Sequence, residues 1–123
     1  MIDLRAYFRS VVEQSPRLGD FFSEDAEIVW PSTGEHFGVE DYVKVNCAYP
    51  GHWTGEIVKV LQGDPLVLIA KVAVLDGTYS THVVSLLSLR EDKIARLEEY
   101  WSEDGDVPDW RKELLGTFVP KGV

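Results

Sequence analysis

Apolar residues recur along this chain at two periods, and the switch from one to the other divides it. Leu4, Tyr7, Phe8, Val11 and Val12 fall on one stripe at helical spacing, with Asp3 placed as N-cap and Ser15-Pro16 ending the pattern. An amphipathic first helix is expected there. A short second helical piece over residues 17–22 presents Leu18, Phe21 and Phe22, after which Ser23-Glu24-Asp25 turns the chain into a brief strand, 26–30, stopped by Pro31. The loop Ser32-Thr33-Gly34 follows. From Val39 the spacing is helical again, with Tyr42, Val43, Asn46 and Cys47 on the same side, until Tyr49-Pro50-Gly51 breaks it. That helix is expected to turn Asn46 and Cys47 inward.

The second half changes to β character. Residues 53–61 and 66–75 are β segments joined by the turn Gln62-Gly63-Asp64-Pro65, and Asp76-Gly77 turns into a long apolar hairpin. Its arms, 81–89 and 94–101, are rich in β-branched, aromatic and leucine residues and flank the polar pair Glu91-Asp92. A two-residue loop sets Arg90 opposite Lys93, and alternation then fixes two faces. One carries Thr81, Val83, Ser85, Leu87 and Leu89 with Ile94, Arg96, Glu98 and Tyr100. The other carries His82, Val84, Leu86 and Ser88 with Ala95, Leu97, Glu99 and Trp101. Both are largely apolar, which predicts helices over one face and a second copy over the other, a homodimer through the outer sheet face. Pro108 suits the first turn of a short C-terminal helix carrying Trp110, Leu114 and Leu115, ended by Gly116. Helices first and a curled antiparallel sheet afterwards make an α+β layer pair.

Composition narrows the setting. A chain of 123 residues, 45% hydrophobic, supports a single domain over 1–123. A net charge of −9 argues against nucleic acid or an anionic membrane as partner, because phosphate binding needs clustered Lys and Arg. One cysteine, no basic-then-apolar leader and no long apolar run point to a cytoplasmic protein. His36, His52 and His82 lack metal-ligand spacing, and no HxH, HExxH or CxxC occurs, so no metal and no cofactor is expected.

The order helix, short helix, strand, helix and then four strands resembles the cone of nuclear transport factor 2 and its relatives, the NTF2-like (cystatin-like) fold, which includes ketosteroid isomerases and polyketide cyclases of the SnoaL type. Phe22-Ser23-Glu24-Asp25-Ala26-Glu27-Ile28 resembles that family's entry into its first strand, and Tyr100-Trp101-Ser102-Glu103 resembles the last strand of bacterial ketosteroid isomerases. The resemblance implies a curved antiparallel sheet wrapped around N-terminal helices, and it implies fold more than function. The isomerase's proton-shuttling carboxylate would stand just before the proline that ends the first strand, where this chain has Trp30 before Pro31. Its tyrosine would fall one residue from Tyr7, and its aspartate on Leu86, or on Ser85 if the turn differs by one. Trp101 matches the pocket tryptophan. A standard ketosteroid isomerase is therefore not expected.

By the same overlay, the face lining the family's pocket bears His82, Leu86, Leu97, Glu99 and Trp101. The register above sets Trp101 opposite His82 and Glu99 diagonal to it, a His/Glu pair in which the carboxylate would raise and orient the imidazole. His82 would transfer the proton, Glu99 would orient it, and Tyr7 would polarise a substrate oxygen. Trp30, Trp53 and Trp101 would wall a small cyclic ligand, with Asn46, Cys47 and Trp110 also facing it, and the resemblance leaves open whether the C-terminal helix acts as a lid with Trp110 and Arg111 near the cone's mouth. The plainer account makes His82 and Glu99 a structural pair and the aromatics core, with Cys47 a small buried thiol and Glu98 beside Arg96 a polar surface. Two functions follow: a cofactor-free acid/base enzyme of the isomerase, cyclase or dehydratase kind, or a non-catalytic binding protein for a small apolar or cyclic ligand.

Overall fold

The computed structural model describes residues 2–116. Met1 and residues 117–123, the two ends of the domain expected over 1–123, lie outside the described residues. Helix α1, Leu4–Val12, begins where the Asp3 carboxylate accepts from the Ala6 N–H at 3.0 Å and buries Tyr7 and Phe8. A 3-10 helix, Pro16–Phe21, follows, capped by Ser15. The chain then forms strands β1, Phe22–Trp30, and β2, Glu35–Phe37, and helix α2, Val39–Ala48. Four strands complete the sheet: β3, Trp53–Leu61; β4, Leu66–Val74; β5, Ser80–Arg90; and β6, Lys93–Glu103. Helix α3, Asp109–Leu115, closes the described chain.

The strands form one unclosed sheet of order β2-β1-β6-β5-β4-β3. It is antiparallel except where β1 runs parallel to β6, pairing Ile28 with Leu97 and Val29 with Glu98. The expected order of elements holds, with two additions. The first strand starts at Phe22, and β2 was not foreseen, since Glu35-His36-Phe37 is too short to show a period and forms by pairing with β1.

On the concave side, α1 and α2 cover two joined cores. Tyr7, Leu18, Phe22, Ile28, Tyr42, Leu68, Leu87, Ile94 and Leu97 fill one; Phe8, Ala70, Val72 and Val83 fill the other. α1 sits close to β3 because Gly55 lacks a side chain. A Cβ there would lie 2.8 Å from both Phe8 and Val12.

The β5–β6 hairpin starts as expected, with Arg90 opposite Lys93 and Leu89 opposite Ile94 across a loop in which Glu91 and Asp92 both take positive φ. Ala95 is then an extra residue. The ladder resumes with Ser88 opposite Arg96, and every later pair is shifted by one from the simple alternation. Beyond the bulge, Leu97, Glu99 and Trp101 join Thr81, Val83, Ser85 and Leu87 on the concave face, while His82, Val84 and Leu86 share the outer face with Arg96, Glu98 and Tyr100. Glu99 stands opposite Ser85 and Trp101 opposite Val83. The His82/Glu99 pair expected from the sequence is therefore absent, because its two members lie on opposite sides of the sheet.

Candidate functional site

Between the ends of α1 and α2 and the concave face of β4, β5 and β6 lies a cavity of about 500 Å³. Trp30, Tyr42, Tyr49, Trp53, Tyr79 and Trp101 line it, together with Val11, Val12, Val72 and Val74. Its polar lining is Gln14, Asn46, Thr81 and Glu103. The mouth is formed by Tyr49, Pro50, Tyr79 and Glu103, all exposed.

Helix ends build one wall. The Gln14 side chain, at a residue of positive φ that ends α1, donates to the backbone carbonyls of Asn46 and Tyr49 at 3.0 and 2.6 Å. Asn46 returns a bond from Nδ2 to the Val11 carbonyl at 3.1 Å. These bonds satisfy carbonyls that a helix C-terminus leaves free, so Asn46 reaches the cavity while its amide ties α2 to α1. On the other side, Trp53 Nε1 donates to the Pro50 carbonyl at 3.1 Å, and Tyr79 Oη donates to Glu103 Oε1 at 3.3 Å. Trp53 and Tyr79 meet edge to face, their rings 5.8 Å apart at 89°. Trp30 and Tyr42 form a second perpendicular pair, 6.2 Å apart at 81°.

Behind the aromatic lining sits a buried acid. Glu99 is only 4% exposed, and its two oxygens accept from Ser85 Oγ at 2.6 Å and from Trp30 Nε1 at 3.2 Å. Burial pushes its carboxyl above its ordinary value, and donors from Ser85, Trp30, Trp101 and Tyr42 offset part of that rise. Tyr7 and Tyr42 are pushed well up, first by burial and then by the nearby Glu99, and so remain neutral phenols. Tyr7 Oη, Tyr42 Oη and Trp101 Nε1 are buried around Glu99 without a hydrogen bond of ordinary geometry, yet Tyr42 and Trp101 act on the Glu99 carboxyl as donors and Tyr7 interacts with Tyr42, so the four groups form one buried polar cluster.

The residues singled out in the sequence are thus sorted by the bulge and by helix length. Trp30, Asn46, Trp53 and Trp101 line the cavity, and Glu99 and Tyr7 lie behind it. Leu97 is wholly buried core. His82, on the outer face, pairs with Asp104 through Nδ1, and Leu86 is on that same face. Cys47 is exposed where α2 overhangs α1, its Sγ 3.1 Å from the Gln14 carbonyl, so it is not an inward thiol. Trp110 is 64% exposed on α3 and is not among the residues that line the cavity. Ser85, the alternative to Leu86 in the sequence, is the partner of Glu99, and Tyr42, Tyr79 and Glu103 are cavity residues beyond those expected from the sequence. Tyr42 could have been found from its place on the inward stripe of α2.

Among the described residues no group of three or more His, Cys, Asp or Glu is arranged to hold a metal, and no helix is long and apolar enough to cross a membrane. No family model and no curated protein matches the chain. Solved structures do match it. A candidate ketosteroid isomerase from Kribbella flavida is 24% identical, with 97% of this chain and 88% of that one covered at a TM-score of 0.77. A protein of ketosteroid isomerase-like fold from Catenulispora acidiphila, solved in complex with trimethylamine, is 18% identical over 83% and 88% at 0.67. A candidate SnoaL-like polyketide cyclase from Shewanella putrefaciens is 10% identical over 79% and 75% at 0.64. The chain has the NTF2-like fold.

Proposed function

We propose that this protein binds a small organic molecule in the concave cavity and that it does so as a dimer. The carrying observation is a space of about 500 Å³ walled by six aromatic residues, within the range of small-molecule sites and held open by side chains already bonded to backbone. A solved neighbour of the same fold holds a small amine, which supports the reading. The dimer reading is supported by the outer face, where Val67, Ile69, Val84 and Leu86 form partly exposed cross-strand pairs, Val67 with Leu86 and Ile69 with Val84. The same outer face would carry a polar margin, since Arg96 bonds Glu27 at 2.6 Å and Tyr100 Oη donates to Glu98 at 2.7 Å.

A second reading, cofactor-free acid/base chemistry, is supported by Tyr42, which both lines the cavity and lies beside a carboxyl shifted toward its protonated form. In that reading Glu99 and Tyr42 hold the proton, with Tyr7 behind them, and His82 takes no part.

The test is a thermal-shift screen of neutral, cationic and anionic ring compounds, repeated on Val74→Trp, which fills the cavity from β4. Ligands that raise the wild-type melting temperature and leave the variant unmoved support cavity binding. An absence of any such ligand, or equal shifts in both chains, sinks it. Turnover of a bound ligand that Glu99→Gln and Tyr42→Phe abolish without loss of binding would separate the catalytic reading, and His82→Ala should change neither.

A further inference from the structure

We infer that the cavity's ligand is an organic cation, an ammonium group carried on an apolar body. This rests on the cavity being a ligand site and adds the charge class of what it takes.

Three features lead there. Among the described residues that line the cavity, none is Lys, Arg or His, and one, Glu103, is an acid. Most side-chain donors that reach the lining are directed at the protein itself: Gln14 at two carbonyls, Asn46 at the Val11 carbonyl, Thr81 Oγ1 at the Ser102 carbonyl at 2.8 Å, Trp53 Nε1 at Pro50, Trp30 Nε1 at Glu99 and Tyr79 Oη at Glu103, while Tyr42 Oη and Trp101 Nε1 are buried beside the Glu99 carboxyl. An anion entering this space would meet no cation and few available N–H or O–H groups, so its desolvation would go uncompensated. A cation would meet the opposite, π faces and a carboxylate.

The geometry also supplies a place for the charge. At the mouth, Trp53 and Tyr79 stand perpendicular, as two walls of a corner, and the bond from Tyr79 Oη holds the Glu103 carboxylate beside the second wall. Aromatic faces attract a cation through their quadrupole, and two faces at right angles can contact one alkylammonium head together. Both rings are fixed by hydrogen bonds before any ligand arrives, which lowers the ordering cost of binding. Deeper in, Trp30, Tyr42 and Trp101 with Val11 and Val72 leave an apolar chamber for the ligand's body.

The experiment compares benzyltrimethylammonium with neopentylbenzene, its uncharged isostere, by tryptophan-fluorescence titration of the full chain. The cation is expected to bind about tenfold tighter or more, the scale of a partly desolvated cation–π contact. Glu103→Gln and, independently, Trp53→Leu should each lower the cation's affinity by a factor several-fold larger than the factor by which they lower the neutral compound's. Equal or tighter binding of the neutral compound overturns the charge assignment and leaves the cavity reading standing. A preference for the cation that survives both variants also overturns it, since the charge then sits elsewhere. Failure of both compounds to bind removes the charge assignment, and the absence of hits in the broader screen would separately remove the cavity reading.

Discussion

Replacing Glu99 by Gln should make the protein's stability less dependent on pH in one direction only. The folded-state carboxyl has a raised pKa, chiefly from burial. Below its ordinary value of 4.5 both the folded and unfolded chains carry the proton, and Glu99 contributes no slope. Above it the unfolded chain has released the proton while the folded chain still holds it, so unfolding is favoured by about 1.4 kcal/mol for each further pH unit. The loss continues until the folded pKa is passed and then levels off. Gln cannot ionise, and it preserves the local bonds: its oxygen accepts from Trp30 Nε1, and its amide donates to Ser85 Oγ, which reverses role. At about pH 4 the two proteins should therefore agree within about 1 kcal/mol, the net worth of one hydrogen bond. With rising pH the variant should become the more stable. Urea unfolding of both chains at half-unit steps from pH 4 to 8 measures this, because every other titrating group is common to both and cancels in the difference. A difference that stays constant across that range would mean that Glu99 ionises as it does in water, and the account of a sealed acid would be wrong.

Three shorter expectations follow from the packing. Gly55→Ala should destabilise by about 1–3 kcal/mol through overpacking against Phe8 and Val12, partly offset by about 0.5–1 kcal/mol from the stiffer unfolded chain, and a lowered melting temperature would register it. Tyr7→Phe removes a buried hydroxyl that makes no hydrogen bond of ordinary geometry and has Tyr42 as a polar neighbour, so its urea midpoint should stay unchanged or rise by the equivalent of up to about 1 kcal/mol. A fall of more than that would reveal a bond to Tyr7 Oη. Cys47 should react fully with a thiol reagent in the folded protein without change in circular dichroism, since its side chain is exposed. Protection until unfolding would place it inside.

The sequence was legible wherever a period ran long enough to be read. The stripe of α1, its Asp3 cap, the limits of β3 and the Glu91-Asp92 turn all follow from local rules, and the structure repeats them. It was illegible where one residue changes phase. Nothing in the composition around Ile94-Ala95-Arg96 marks Ala95 as extra, and the choice is made by tertiary burial: the bulge turns Leu97 into the core and Arg96 toward Glu27 on β1. Strict alternation would have buried Arg96 and Glu98 instead. The same slip moves His82 and Leu86 to the outer face and brings Ser85 opposite Glu99. The cavity's rim was missed for another reason, because Tyr79 and Glu103 are brought together by the β5–β6 ladder from positions 24 residues apart.

The parallel seam between β1 and β6 also bears on how the chain reaches its native state. The bond from Trp30 to Glu99 spans 69 residues, and that from Arg96 to Glu27 spans another 69. Nothing on β1 can meet its partner on β6 until nearly the whole described chain has been made, and closing so long a loop carries entropy that local contacts do not repay. The helices and the β3–β4 hairpin can form early during synthesis, whereas the floor of the cavity is assembled last. Until then Trp30, Phe22 and Ile28 remain uncovered, and that interval is when this chain is most exposed to aggregation.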